Sequence, residues 1–386
     1  MRRQLVILID ALGWELCQRH GFLKAELPFR GPVRTVLGFS SGAIPTLLTG
    51  LWPAQHGRWN LLYYDPAQSP FRSWRGLEKC PDAWVNHRLG RKLAQWAGRH
   101  WLHAGPGFDC VISPRWLSRM AWAEPRYLFS LEGMEQESWL FQRLKRAGMG
   151  WQIYSYQQGR DQQLVAQAIT ELRYGRKEFL FVYLCELDHT LHFVRRQPQA
   201  VATAIRNLED DIKHLLAAAG TGTDITVISD HGMAPVQGEV TAAIPKPFQP
   251  GRDYLCVFDS TMARFWIFRP EARQGLLQAI AAWPHGQVLS ASALQQEGVD
   301  FADQRYGELI WLADAGWMLR DTLFHGDWRP EGMHGYHPDD PDSHAVWLSR
   351  REPSALPRNL IEVYQELCRQ SGLSVREGLC QASASK

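Results

Sequence analysis

The chain has 386 residues, 45% of them hydrophobic and 21% charged, with a formal charge of +2. This composition places the chain among ordinary globular proteins and away from disordered ones, and the near-neutral balance gives no sign of a nucleic-acid footprint or polyanion-binding face. The length exceeds that at which a single core stops growing, so one large α/β body with insertions, or two lobes, is expected.

The opening Met1-Arg2-Arg3 and the apolar run 5–9 superficially resemble a secretory signal. The run is short, Asp10 interrupts it and no small-residue cleavage pattern follows, so it reads as the first core strand. A loop and helix follow over 11–19, and the segment 40–51 precedes an irregular region after His56-Gly57. Residues 60–125 are rich in tryptophan, tyrosine, proline and glycine without clear periodicity, which reads as an insertion and a candidate cap. Alternation returns with a helix over 137–147, a strand over 151–156, a helix over 162–172 and a strand over 179–184.

Val201, Ile205, Leu208, Ile212, Leu215 and Leu216 then recur at steps of three and four, one apolar face of a helix closed by Gly220 and Gly222. The strand 225–228 leads to Asp230. A second insertion spans about 235–330, with a strand-like pair at 254–258 and 263–268 and a helix over 271–282. Residues 359–370 form a closing amphipathic helix, and residues 381–386 are expected to fray. The expected fold is α/β, a mostly parallel central sheet with helices on both faces. It makes one catalytic domain over 1–386 with insertions at about 60–125 and about 235–330.

No stretch approaches the roughly 20 apolar residues of a membrane-spanning helix, so a soluble protein with no membrane span is expected. Cys17, Cys80, Cys110, Cys185, Cys256, Cys368 and Cys380 are odd in number and form no CxxC pair, which points to a reducing, cytoplasmic setting.

Seven residues have the chemistry of ligands for a pair of metal ions: Asp10, Ser40, Asp188, His192, Asp230, His231 and His334. Asp10, Asp188 and Asp230 each follow a strand-like run, and in an open α/β sheet ligands bind beyond the carboxyl ends of the strands. Asp188 and His192 stand four apart, on one helix face, and mixed aspartate and histidine ligation suits Zn²⁺, with Mn²⁺ as the alternative. Ser40, in Gly38-Phe39-Ser40-Ser41-Gly42, sits where a helix opens. There its hydroxyl either faces the crevice as a phosphoryl-transfer nucleophile beside helix-terminal amides or merely caps the helix with Ser41. A solvated acidic turn is the other reading of the stretch around His334.

The order of these motifs resembles the alkaline phosphatase superfamily, and within it the type I phosphodiesterase and nucleotide pyrophosphatase branch. Thr49 to Gly57 is similar to that branch's T-G-x-x-P-x-x-H-G segment, and counting back from Gly50 aligns Ser40 with the family's nucleophile. The surrounding Phe-Ser-Ser-Gly-Ala departs from the branch's usual Thr-Phe-Pro-Asn type sequence, which keeps Ser41 as an alternative nucleophile. The sulfatase segment Cys/Ser-x-Pro-x-Arg is absent. The resemblance implies two metal ions, one held by Asp10, Asp230, His231 and the Ser40 oxygen, the other by Asp188, His192 and His334. It also implies that Asn60 binds a non-bridging phosphate oxygen, although its offset from Ser40 is one residue shorter than the pattern.

The expected activity is hydrolysis of a small-molecule phosphate ester, with no nucleic-acid duplex as partner. It would be a phosphodiesterase or nucleotide pyrophosphatase working through a phosphorylated serine. A diester is favoured over a monoester because the oxygen-binding Asn60 is neutral, unless Arg58, Arg72 or Arg75 folds into the site. The alternatives are a phosphomonoesterase or phosphonate hydrolase of the same fold, and a catalytically silent binding protein. Trp59, Tyr63, Tyr64, Phe71, Trp74 and Trp84 either wall the leaving group or pack the insertion's own core.

Overall fold

The computed structural model describes residues 2–105, 108–134, 136–320 and 329–375. Residues 381–386 and Cys380 lie outside them. The chain forms two compact units, one from residues 1–57, 135–235 and 338–386, the other from residues 58–134 and 236–337.

The first unit is built on a six-stranded sheet. Its order is Phe29–Val33, Ala345–Ser349, Asp224–Ile228, Gln4–Ile9, Phe179–Leu184 and Trp151–Tyr154. The last four are mutually parallel, and Ala345–Ser349 runs antiparallel to both of its neighbours. The central strands are apolar on both faces, the composition of a sheet covered on two sides. Leu5, Ile7, Ile9, Leu180 and Val182 face a core shared with helices Trp14–His20, Asp161–Tyr174, Glu186–Val194 and Pro198–Ala219. On the other face Phe181 meets Phe141 of helix Leu140–Arg146, ring centroids 5.4 Å apart. This is the mostly parallel α/β sheet, sheathed on both faces, that the sequence predicts.

Register places the chemistry. Leu8 stands opposite both Ile228 and Tyr183, so the central strands end at one level and residues 10, 185 and 230 leave the sheet together. The chain turns sharply there. Ala11 adopts a positive φ of 61°, and Gly13 packs against Gly232, where a Cβ on Gly13 would lie 3.0 Å from the Gly232 Cα. A Cβ on Gly232 would stand 2.1 Å from the Asp342 carbonyl oxygen, so the two site loops approach this closely only as glycines.

The second unit carries a four-stranded antiparallel sheet in the order Tyr254–Asp259, Met262–Ile267, Leu309–Ala313 and Gly286–Val288. The predicted strand pair and the helix, observed as Pro270–Ala281, are thus present. The region read as aperiodic holds more order than expected: a strand pair Leu62–Tyr64 with Met120–Trp122, and a helix Arg88–His100. That helix escaped detection because its large apolar residues point outward and its buried face is Ala94, Ala97 and Gly98. The helix expected over 137–147 is shorter, Leu140–Arg146, and the strand expected over 151–156 stops at Tyr154.

Candidate active site

Ser40 opens helix Ser40–Thr49, whose N-cap is Phe39 in extended conformation with no side-chain cap. The Ser40 hydroxyl does not cap the helix; it lies 2.9 Å from Nε2 of His231. Ser41, one residue on, is buried within the same helix. The T-G-x-x-P-x-x-H-G segment proves to be the scaffold of this helix. Thr49 donates to the Pro45 carbonyl at 2.7 Å, and His56 is tied to Thr46 at 3.0 Å between Nε2 and Oγ1. Gly50 ends the helix at φ 68°, under the Tyr364 ring, where a Cβ would fall 2.3 Å from Cδ1.

Three further side chains crowd the same point. Nε2 of His231 lies 3.4 Å from Asp10 Oδ1 and 3.3 Å from Asp230 Oδ2. The imidazole is oriented by a hydrogen bond of 2.9 Å between Nδ1 and the Gly232 carbonyl, which points Nε2 at the oxygens. The other oxygen of Asp10, Oδ2, accepts from the Tyr183 hydroxyl. The other oxygen of Asp230, Oδ1, accepts from the Ala11 amide at 3.4 Å, while Thr35 Oγ1 donates to the Asp230 carbonyl at 2.6 Å.

Asp10 Oδ1 and Asp230 Oδ2 are buried and accept no hydrogen bond from the described residues. Burial, reinforced by the Asp230 and Asp188 carboxylates and opposed by the Tyr183 hydrogen bond, raises the Asp10 carboxyl well above the usual range. Asp230 is raised as well, chiefly by burial, with His231 opposing and Asp188 adding to the shift. Buried carboxylates in this state are neutralised either by a proton or by a cation. The donor set fits a cation: two carboxylate oxygens and a hydroxyl stand 2.9–3.4 Å from the imidazole nitrogen, near the ~3.3 Å edge of a tetrahedron with bonds of roughly 2.0 Å.

Asp188 and His192 lie on one face of helix Glu186–Val194, Oδ2 to Nε2 3.5 Å. The Asp161 carboxylate accepts the amides of Cys185 at 3.1 Å and Glu186 at 3.0 Å, fixing the start of that helix. His334 belongs to the second unit and is buried, with Thr261 Oγ1 donating to its carbonyl at 3.3 Å. Asn60 is also in the second unit and is buried; its Nδ2 lies 3.4 Å from Asp259 Oδ2, and the same carboxylate oxygen accepts from Arg264 Nε at 2.5 Å. Arg58 Nη2 donates to the Gly133 carbonyl at 2.6 Å, and Arg72 and Arg75 are exposed.

Most of the aromatic residues singled out in the insertion pack within the second unit. Trp59 is buried against Tyr306, Tyr64 lies against Trp266 and Phe268, and Phe71 against Phe108 and Trp74. Trp84 differs in being largely exposed. The sequence reading missed Tyr183; its one signal was a single polar atom in the otherwise apolar strand Phe179–Leu184.

An α/β sheet with carboxylate and imidazole side chains beyond its strand ends and a serine at a helix start is the architecture of the alkaline phosphatase superfamily. Residues 5–337 match type I phosphodiesterase / nucleotide pyrophosphatase, and the chain belongs to that family. Murine ectonucleotide pyrophosphatase / phosphodiesterase 5 superposes with a TM-score of 0.69 at 15% identity, over 97% of this chain and 96% of that one. The human protein of the same name gives 0.67 at 15% over the same shares. An inactive variant of the murine protein in complex with AMP gives 0.68 at 16%, again over 97% and 96%. At these identities the likeness is one of fold. No curated protein sequence matches the chain.

Proposed function

We propose that the protein is a metal-dependent phosphodiesterase or nucleotide pyrophosphatase that works through a phosphorylated Ser40. The observation that carries this reading is the Ser40 hydroxyl, 2.9 Å from His231 Nε2, beside the buried Asp10 and Asp230 carboxylates. Asp10, Asp230, His231 and Ser40 Oγ would hold one divalent ion, Zn²⁺ or Mn²⁺. Asp188, His192 and His334 are assigned to a second, following the family resemblance. Bound cations supply Lewis acidity, lowering the pKa of the hydroxyl and screening phosphate charge.

The chain's own contribution is placement. The helix opening at Ser40 presents the positive end of its dipole and its first-turn amides to an incoming phosphate. Ser40 Oγ attacks phosphorus in line, the P–O bond to the leaving group breaks, and phosphoserine forms. Water then attacks that phosphorus from the opposite side and restores the serine. Tyr183 keeps Asp10 oriented through the cycle, and the Gly232 carbonyl does the same for His231. Asn60, its amide held by Asp259, is assigned to a non-bridging phosphate oxygen. Because Asn60 is neutral, a diester or pyrophosphate is favoured over a monoester dianion.

The AMP bound to the inactive variant of the murine relative supports a nucleotide as the substrate class. Free thiols at Cys17, Cys80, Cys110, Cys185, Cys256 and Cys368 support a cytoplasmic setting. The test is turnover of an aryl phosphodiester against the matching monoester by the metal-loaded protein. A clear preference for the diester is expected, and preference for the monoester would overturn the assignment.

A further inference from the structure

Charge is unevenly spread along this chain. Residues 72–103 hold seven arginines and lysines against two acidic residues, +5 of a total of +2, so the remainder carries −3. The two acids are engaged internally. Glu78 pairs with Arg119 and accepts from Ser118, and Asp82 accepts from Ser113 and Asn86. Arg72, Arg75, Lys79, Arg88, Lys92 and Arg99 are exposed.

The same segment exposes its largest apolar side chains. Helix Arg88–His100 lies close against its unit through small residues, and a Cβ on Gly98 would stand 2.6 Å from Phe108 Cδ1. Its outward stripe is Leu89, Leu93 and Trp96, at steps of four and three, beside a basic stripe of Arg88, Lys92 and Arg99. Leu89 is 73% exposed, Leu93 62%, Trp84 73% and Trp101 67%. Trp84, Val85, Leu89 and Leu93 line, with Trp74 and Leu77, an apolar groove of about 610 Å³.

We propose that this face docks the protein on a bilayer surface carrying anionic lipid. Leucine and tryptophan beside a row of lysine and arginine match the interfacial zone, where apolar side chains enter the acyl boundary and cations meet the headgroups. Two copies meeting through this face would set the basic stripe Arg88, Lys92 and Arg99 of one near that of the other, which disfavours self-association. The groove joins aliphatic Val85, Leu89 and Leu93 to the indoles of Trp74 and Trp84, the mixture that sits at the acyl–headgroup boundary. Among the described residues, no helix is long and apolar enough to cross a membrane.

The test is co-sedimentation of the full chain with phosphatidylcholine vesicles and with vesicles in which part of that lipid is replaced by phosphatidylserine. Binding is expected to the anionic vesicles only and to weaken with salt. The triple substitution Trp84→Ser, Leu89→Ser, Leu93→Ser and the double substitution Arg88→Glu, Lys92→Glu should each lower partitioning about tenfold or more. Turnover of a soluble aryl phosphodiester should stay unchanged in both, which shows that the variants are folded. No binding to anionic vesicles, or equal binding to both kinds, overturns the proposal. So does a wild-type oligomer in sedimentation velocity that the triple variant dissociates, because that result gives the face to a second copy of the chain.

Discussion

Ser40 Oγ and His231 Nε2 are 2.9 Å apart, although 191 residues separate them in the chain. The contact exists because a helix start and a strand end are brought to one crevice, with Asp10 and Asp230 completing the surround. In the proposed mechanism, replacing Ser40 with alanine removes the attacking atom and leaves three of the four proposed donors. We expect Ser40→Ala to lose at least about a thousandfold in kcat while retaining most bound metal. Ser41→Ala should cost far less. Steady-state kinetics with elemental analysis of each variant measures both effects, and the reverse ranking would move the nucleophile to Ser41.

Tyr183→Phe tests the support of the proposed metal site without touching Ser40. The Tyr183 hydroxyl is the donor that orients Asp10, and a buried hydrogen bond to a charged group is worth about 1.5–3 kcal/mol. Removing it should weaken Zn²⁺ binding by about 10–100-fold. A competition titration against a chromogenic chelator reads this directly, and an unchanged affinity would show that Asp10 is held by other means.

Gly232→Ala places a methyl group against the Asp342 carbonyl oxygen and forces the Asp230–His231 loop to move. A loss of about 1–3 kcal/mol in stability is expected, together with reduced metal content. Urea unfolding measures the first and elemental analysis the second; a variant normal in both would mean that the loop has slack.

Asp161 gives a pH signature. Burial, partly offset by the Glu186 and Cys185 amides, raises its carboxyl from 3.8 to about 6. Between those values the folded protein holds a proton that the unfolded chain has released. Stability therefore falls as pH rises from about 4 to about 6, then levels off. Asp161→Asn should flatten that part of the profile, as urea midpoints across the window will show. Identical slopes in the two proteins would place the proton elsewhere.

Metal removal follows the same logic. Because Asp10 and Asp230 are both raised, protons compete with a cation at pH values where exposed carboxylates are already ionised. At neutral pH chelator-stripped protein should be less stable than loaded protein, by about 4 kcal/mol when free metal is a thousand times Kd. The gap should narrow in acid. Thermal melts with and without chelator check the sign, and a gap that widens in acid would contradict it.

Much of the first unit was legible in the sequence because its signals are local. The strand Phe179–Leu184 is a continuous apolar run, and helix Pro198–Ala219 shows its buried stripe at regular steps and stops at Gly220. Asp10, Asp230 and His231 were legible for the same reason, lying just past two such strands. Tyr183 was hidden because a tyrosine in an apolar strand reads as core, and only the register beside Leu8 brings its hydroxyl to Asp10. The Gly13–Gly232 approach depends on two loops far apart in sequence. Helix Arg88–His100 inverts the usual pattern, burying small residues and exposing leucine and tryptophan, so periodicity pointed to no core-facing side.

The most direct measurement is to acid-quench the metal-loaded protein during turnover of an aryl phosphodiester and map the phosphorylated peptide by mass spectrometry. A covalent phosphoryl group on Ser40 is the predicted result. Modification of Ser41 instead, or turnover with no phosphorylated enzyme under conditions that preserve phosphoserine, would contradict a mechanism centred on the Ser40 hydroxyl.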